Sequence, residues 1–146
     1  MTAAPDTRFL TVIVADGRYG IRLSRVTDMF RPRTVTPLPR APKGIHGLIN
    51  RRGRVVTAIS LRACLGLPAG EGSHYAIGVV RGAEPYALLA DAPGEICALS
   101  ALEPVPGGLV CRASAAEISE GVYGLDGTLL TLLDVDRLLG LGRKAA

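Results

Sequence analysis

The chain has 146 residues, of which 48% are hydrophobic and 21% are charged, and its formal net charge is +4. This balance excludes a disordered chain, and a single domain of this length can bury a stable core without a metal or a disulfide. No apolar run approaches the roughly 18 residues that a membrane-spanning helix needs, so we expect no direct membrane insertion. Eighteen glycines and ten prolines favour many turns and short strands.

The first elements predicted along the chain form a strand–turn–strand unit. A strand over Phe9–Ala15 ends at the turn dipeptide Asp16-Gly17, and an alternating return strand runs over Arg18–Leu23. Ser24 can then cap one helical turn that extends to Met29, because its hydroxyl can accept from a backbone N–H of the first turn.

A charged hairpin is predicted next. Two apolar runs, Gly47–Asn50 and Val55–Ile59, flank the polar turn Arg51–Arg54, whose glycine can adopt the positive φ of a tight reversal. Pro39 and Pro42 bend the chain into the first of these strands. The turn holds three arginines within four residues. Such like charges repel each other unless water or an acidic partner takes them up.

The second half of the chain repeats this pattern after a short helix over Leu61–Leu65 and a linker over Pro68–Ser73. A terminal helix is predicted from its cap at Asp134 through Leu139, and Gly140 is expected to end it. The strands predicted between these helices are Tyr75–Arg81, Tyr86–Ala90, Ile96–Leu99, Leu109-Val110, Gly121–Leu125 and Leu129–Leu133.

Many short strands separated by glycine turns predict a mostly β fold and indicate small barrels. We expect one domain over residues 8–142, whose two halves divide near residues 66–74. A flexible tail over residues 1–7 is expected before this domain and a second tail over residues 143–146 after it.

Motifs for catalysis or cofactor binding do not occur in the sequence. It has no G-x-S-x-G, P-loop or dinucleotide fingerprint, and His46 and His74 each stand apart from a nucleophile. Cys64, Cys97 and Cys111 are scattered without a C-x-x-C pair, which predicts reduced thiols in a cytoplasmic protein and no metal site. We therefore expect a protein that is not an enzyme and has no cofactor, metal or small-molecule substrate.

Nucleic-acid binding is the alternative that the charge pattern leaves open, since small basic β-barrels can bind RNA or DNA. No aromatic residue lies between Phe30 and Tyr75, so the stacking platform typical of such modules is missing and a nucleic-acid partner is not favoured. The basic residues concentrate in the first half, at Arg31, Arg33, Arg40, Lys43, Arg51, Arg52 and Arg54.

One ordered set of residues stands at a fixed and specific spacing: Leu38, Pro39, Ala41, Pro42, Ile45, Gly47, Asn50, Arg52 and Gly53. This set resembles the signature of the CheW-like coupling proteins of bacterial chemotaxis, and the likeness extends more faintly from about Phe9 to Leu139. The resemblance implies paired five-stranded, SH3-like barrels with short helices, and a cytoplasmic adaptor that is recruited to membrane-receptor arrays through its partners. Those partners would be the cytoplasmic tip of a chemoreceptor and the regulatory domain of the histidine kinase CheA.

The resemblance also implies site residues. Arg52 matches a receptor-contact position, and a V-x-E-[IV] element of the family corresponds to residues 26–29; burial of Val26 and Met29 on one helical face is the structural alternative. Val35 and Leu38 are offered for the kinase face. The expected receptor-binding residues are Val26, Asp28, Met29, Gly47, Asn50, Arg51 and Arg52.

The chain departs from the family pattern at several positions. Arg51 stands where the family usually has an apolar residue, and Thr57 and Ser60 replace a proline and an aspartate. A second family element, V-V-D-x-V, is only echoed by Leu89–Pro93. These departures indicate an adaptor specialised for an unusual receptor or kinase.

Overall fold

The computed structural model describes residues 7–42, 44–68, 70, 75–105 and 117–144. None of the helices in these ranges is long and apolar enough to cross a membrane. Within these ranges, two single 3₁₀ turns, Leu23–Arg25 and Leu99–Ala101, accompany two α-helices, α1 (Leu61–Cys64) and α2 (Val135–Lys144). The strands are β1 (Arg8–Val14), β2 (Gly17–Arg22), β3 (Val26–Phe30), β4 (Ile45–Arg51), β5 (Arg54–Ser60), β6 (Tyr75–Arg81), β7 (Glu84–Ala90), β8 (Ala92–Ala98), β9 (Glu103–Pro104), β10 (Ser119–Leu125) and β11 (Thr128–Leu133).

The strands form two sheets. The central sheet has the order β3-β6-β7-β5-β4, and the terminal sheet has the order β8-β1-β2-β11-β10-β9. Each sheet contains one parallel pair, β5 with β7 and β2 with β11, and its other pairs are antiparallel. The predicted mostly β class with short helices is confirmed. The central sheet has the five expected strands, and the terminal sheet has a sixth, the two-residue β9.

The strand order departs from the expected division of the chain near residues 66–74. The strands on either side of that linker, β5 and β6, lie in the same central sheet, whereas the terminal sheet combines β1 and β2 with strands from the end of the chain. The parallel pairing of β2 with β11 brings residues 18–21 beside residues 130–133.

The expected tails are shorter where the structure describes them. The carbonyl oxygen of Thr7 accepts a hydrogen bond of 2.9 Å from the backbone N–H of Leu99, so Thr7 is held against the terminal sheet. Residues 143 and 144 belong to α2 rather than to a tail. Residues 1–6 and 145–146 lie outside the described residues.

Alternation along the strands sorts apolar side chains into three buried clusters. On β7, Tyr86 and Leu88 enter a cluster shared by both sheets and both helices, while Ala87 and Leu89 enter one that belongs to the central sheet. A third cluster belongs to the terminal sheet and includes Phe9, Leu130 and Leu132. Each fully buried Leu or Phe contributes about 1.5–3 kcal/mol through the hydrophobic effect, so the shared cluster joins the two sheets strongly.

The helical turn predicted at residues 24–29 is wrong. Ser24 lies inside a 3₁₀ turn that has no side-chain cap, and the chain is already a strand at Val26. The reason is tertiary: β3 forms a ladder with β6, pairing Val26 with Val79 and Phe30 with Ala76. This pairing outweighs the weak local preference of a short segment for a helix.

Other local predictions can be compared with the structure. The short helix predicted over Leu61–Leu65 is present as α1, which begins after Ser60 and ends at Cys64. The Ser60 hydroxyl accepts from the N–H of Ala63 at 3.2 Å, and Gly66 follows the helix at φ +73°. Asp134 caps α2 by accepting from the N–H of Arg137 at 3.1 Å. The predicted end at Gly140 is wrong, since α2 continues to Lys144. The predicted strand at 109–110 lies outside the described residues.

Candidate functional site

The turn between β4 and β5 presents Arg52 at its tip. Arg52 and Gly53 have φ values of +54° and +82°, the left-handed pair that closes a two-residue hairpin between Arg51 and Arg54. The side-chain oxygen of Asn50 accepts from the N–H of Gly53 at 3.0 Å, so this amide shapes the turn. A left-handed conformation costs a non-glycine residue about 1–3 kcal/mol. The Arg52 side chain is exposed at this turn.

Arg51 points to the other side of the hairpin and bridges two strands. Its Nη2 lies 2.8 Å from Oδ2 of Asp28, and its guanidinium carbon lies 3.9 Å from the centroid of the Phe30 ring. Asp28 and Phe30 are on β3, and Arg51 is on β4. These two strands form the opposite edges of the central sheet. Arg51 therefore connects the two edges of this sheet through an ion pair and a cation–π contact.

The place of Asp28 depends on a glycine in the neighbouring strand. Gly78 of β6 pairs directly with Asp28. A Cβ atom added at Gly78 would lie 2.8 Å from Oγ1 of Thr27 and would collide with the Asp28 carboxylate. That carboxylate also accepts a hydrogen bond of 3.1 Å from the Thr27 hydroxyl. The missing side chain at Gly78 thus makes room for the acid that Arg51 binds.

Two grooves flank the contact between Arg51 and Phe30. One has a volume of about 310 Å³ and the other of about 680 Å³, and Phe30, Arg51 and Arg52 line both. The only acidic residue among the lining residues of either groove is Asp28. We call the surface around both grooves the arginine face, and it consists of Phe30, Arg31, Arg33, Arg51, Arg52 and Arg54.

The residues expected from the V-x-E-[IV] resemblance lie in different surroundings, because residues 26–30 form a strand. Val26 is half-buried and packs against the shared apolar cluster, which favours a structural role. Asp28 faces Arg51, while Met29, one position further along the strand, has 38% of its surface exposed. Of the three, the structure brings only Asp28 to the arginine face.

Gly47 is covered by the chain itself. A Cβ atom added at Gly47 would lie 2.8 Å from Cγ1 of Val35 and would collide with the carbonyl oxygen of Thr36. Thr36 and Leu48 exchange two backbone hydrogen bonds of 2.8 Å at this edge of β4. Val35, which we expected to be exposed, is half-buried against the central-sheet cluster, whereas Leu38 is 39% exposed.

Two residues of this site were missed by the sequence analysis. Phe30 lines the grooves and Gly78 positions Asp28, and neither of them stood in the recognised motif. The signal for Phe30 would have been strand alternation, because Asp28 and Phe30 share one side of a strand but not of a helix. The erroneous helical turn concealed it.

A second arginine bridge lies away from the arginine face. Nε and Nη2 of Arg62 donate to the two carboxylate oxygens of Asp91 at 3.0 and 2.6 Å, and the N–H of Ala15 donates to the same carboxylate at 2.7 Å. The hydrogen bonds to Asp91 raise the pKa of the Arg62 guanidinium. Arg62 and Asp91, which lie in stretches that match the family pattern only in part, thus hold α1 against the connection from β7 to β8.

The remaining candidates for catalysis or metal binding are cysteines and histidines. Cys64 is buried beside the shared cluster, and that burial raises the pKa of its thiol to about 11. His46 is exposed on β4, while His74 and Cys111 lie outside the described residues. In the part of the chain that the structure describes, no three His, Cys, Asp or Glu side chains are grouped so that they could hold a metal ion.

Comparison with known proteins yields one family and several relatives. The sequence matches the CheW-like domain family over residues 8–142. The chemotaxis protein CheW of Rhizobium meliloti strain 1021 is 26% identical over 125 residues, which cover 84% of this chain and 81% of that protein. Protein FrzA of Myxococcus xanthus is 36% identical over 59 residues, or 40% of this chain and 37% of FrzA.

A solved structure is similar over nearly the whole fold. The crystal structure of the scaffolding protein TtCheW from Thermoanaerobacter tengcongensis superposes with a TM-score of 0.79 and covers 97% of each chain. The two sequences are 21% identical, so this likeness concerns the fold. It supports the predicted two-subdomain architecture, with its mostly β composition and few short helices.

Proposed function

The chain belongs to the CheW-like domain family, and we propose that it is a non-enzymatic adaptor that couples chemoreceptors to the histidine kinase CheA in a chemosensory array. The family match over residues 8–142 supports an adaptor, and a relative of the same fold is described as a scaffolding protein. The partners would be the cytoplasmic tip of a receptor and the regulatory domain of the kinase. In this role the protein is cytoplasmic and reaches the membrane only through its partners.

The observation that carries this proposal is the position of Arg52. It projects from a tight turn at the point where the two grooves of the arginine face meet, and no ion pair joins it to another described residue. The turn fixes the backbone beneath it, so only the side chain has to be ordered when the guanidinium binds a partner. Such a group can bind a carboxylate in two-pronged geometry or the last carbonyls of a helix.

We expect Arg52→Ala to weaken binding to a chemoreceptor tip while leaving the melting temperature nearly unchanged, because the side chain contacts the partner and not the core. Isothermal titration against a recombinant receptor tip measures the affinity, and circular dichroism measures the melting. Arg8→Ala, at an exposed position on β1 in the other sheet, is the matched control. A loss of folding in Arg52→Ala would instead show that Arg52 is structural.

The kinase contact is a separate part of the proposal. Leu38 remains the proposed kinase residue, since its exposed side chain lies outside both grooves. Purification of the tagged protein from its native cell, followed by mass spectrometry, should recover a histidine kinase and a receptor together. Loss of the kinase but not the receptor from a Leu38→Asp variant would assign the two faces.

A nucleic-acid-binding module is the second candidate, because the arginines cluster on one surface. Affinity for a single-stranded oligonucleotide would then fall log-linearly with salt and persist without any receptor. The structure offers little for base stacking on this surface. The ring of Phe30 lies against the guanidinium of Arg51, and the ring of Tyr75 lies against that of Arg31. Tyr86 also lines one groove, but it is buried.

A further inference from the structure

We infer that the arginine face binds a carboxylate-rich segment of the receptor tip. This inference rests on the proposed adaptor function and adds the chemistry of the partner to it. It predicts that affinity depends on salt and on charge, and not only on apolar contact.

The charged residues that line this surface are arginines, with Asp28 as the single acid among them. In the amino-acid sequence, the stretch from residue 29 to residue 70 contains seven arginines and Lys43 but no Asp or Glu. Five of those arginines line the two grooves. Asp28 is the acid among the lining residues, and Arg51 binds it. Glu84, near the rim, accepts a hydrogen bond from the Tyr86 hydroxyl at 3.0 Å.

Three of the groove arginines are free to bind a partner. Arg33, Arg52 and Arg54 are exposed, and none of them forms an ion pair with a described residue. Guanidinium groups held near one another on a fixed hairpin repel each other. A partner that brings carboxylates relieves this repulsion as it binds, whereas a neutral or basic partner must overcome it.

The structure contains an example of the interaction that we infer. The Asp28 carboxylate lies at this surface against the Arg51 guanidinium at 2.8 Å, and the same guanidinium stacks on Phe30. Planar guanidinium groups suit carboxylates because both present two parallel hydrogen-bonding atoms. Arg52 follows Arg51 in the chain, and Arg54 pairs with Arg51 across the hairpin. Both offer the same donors to the carboxylate of a partner protein.

A protein segment fits this surface better than a nucleic acid. Phosphates could also pair with the arginines, but sequence-tolerant binding of single strands relies on aromatic faces on which bases stack. The grooves are lined by two aromatic rings: the guanidinium carbon of Arg51 lies 3.9 Å from the centroid of the Phe30 ring, and Tyr86 is buried, so neither ring is open to a base. Carboxylates on a folded segment need no such platform.

The test uses the full chain and recombinant cytoplasmic tips of chemoreceptors from the source bacterium. Affinities are measured between about 50 and 300 mM NaCl, a range over which screening of exposed charges grows. The variants are Arg52→Gln with Arg54→Gln, and Arg33→Gln; Arg8→Gln on β1 is the control. Thermal melting of every variant checks that it is folded.

We expect the double variant to bind a tip about five- to tenfold more weakly at low salt, and its affinity to depend less on salt than that of the wild type. Arg33→Gln should weaken binding about two- to fivefold, and Arg8→Gln should leave it unchanged. Arg52→Glu should bind worse still, and a receptor tip with an interfacial Asp or Glu changed to Arg should restore its binding.

Each remaining outcome overturns a different statement. If a tip binds wild type and double variant equally at all salt concentrations, the carboxylate inference is wrong while the adaptor function stands. If no tip binds at any salt concentration, the adaptor function fails and the inference fails with it. If a single-stranded oligonucleotide binds more tightly than any tip and loses affinity in the double variant, the surface recognises phosphates and the inference is wrong.

Discussion

At the tip of the β4–β5 hairpin, Arg51 and Arg52 are consecutive in the sequence, but their side chains lie in different surroundings. Arg51 is the last residue of β4, and its side chain turns toward β3, where it meets Asp28 and Phe30. Arg52 is the first turn residue, and its positive φ directs it into solvent. A left-handed arginine is costly where asparagine or glycine would be easier, and the receptor contact proposed for Arg52 would account for that cost.

We expect Arg51→Ala to lower the free energy of unfolding by about 1–2 kcal/mol, because it removes a partly buried ion pair and a cation–π contact and leaves Asp28 without its partner. Urea denaturation monitored by circular dichroism measures this change. The neighbouring exposed Arg54→Ala should change the same quantity by less than about 0.5 kcal/mol. Equal effects of the two substitutions would mean that Arg51 does not bridge the sheet edges.

At the scale of elements, the turns were predictable and the strand β3 was not. The dipeptide Asp126-Gly127 carries its own turn chemistry, and the hairpin around it forms as expected. The first hairpin also forms, but it turns at residues 15–16, one position before the predicted Asp16-Gly17. Val26 to Phe30, in contrast, become a strand by pairing with residues about fifty positions later. No local pattern in a five-residue segment reports such a partner.

The same distinction applies to the candidate site. Arg52 and Asn50 could be placed from the hairpin alone, since turn and tip are local features. The contact of Arg51 with Asp28 could not, because it joins the first and last strands of the central sheet, which meet only in the folded protein. Gly78 follows from that contact and carries no signal of its own in the sequence.

Two glycines should respond to alanine in opposite ways. Gly140 lies inside α2 with open space at the Cβ position, so Gly140→Ala should raise the free energy of unfolding by about 0.5–1 kcal/mol through helix propensity. Gly78→Ala should lower it by about 1–3 kcal/mol, since the methyl group displaces Asp28 and Thr27. Chemical denaturation of both variants measures the two signs, and a destabilised Gly140→Ala would contradict the helical environment of that residue.

At the scale of the molecule, ion pairs join parts that are distant in sequence. Arg25 lies between the sheets: its Nη2 donates to Asp136 of α2 at 2.9 Å and to the carbonyl of Val80 on β6 at 3.1 Å. Arg22 pairs with Glu120 within the terminal sheet at 2.7 Å. Arg22, Arg25, Glu120 and Asp136 line a charged cleft of about 490 Å³ where the start of α2 meets strands β2 and β10 of the terminal sheet.

The pair between Arg25 and Asp136 should make stability depend on pH. The hydrogen bond from Arg25 lowers the pKa of Asp136 below its usual 3.8. Its contribution, below about 1 kcal/mol for so exposed a pair, is therefore complete above pH 3.8 and is lost as pH falls through the lowered value.

Urea denaturation of the wild type and of Asp136→Asn at several pH values measures this contribution. The difference in free energy of unfolding should be constant near neutral pH, shrink in acid, and nearly vanish in about 1 M NaCl at any pH because salt screens the pair. A difference that persists unchanged at low pH would show that the charge of Asp136 contributes nothing.

The interlaced order of the two sheets sets a sequence of events during translation. All strands of the central sheet lie between residues 26 and 90, so they are complete once that stretch has left the ribosome. The β1–β2 hairpin emerges first but must wait for β11, made more than a hundred residues later, to cover the open side of β2. Until then the nascent chain carries an unpaired strand edge, and this interval is when it is most exposed to aggregation and most in need of chaperones.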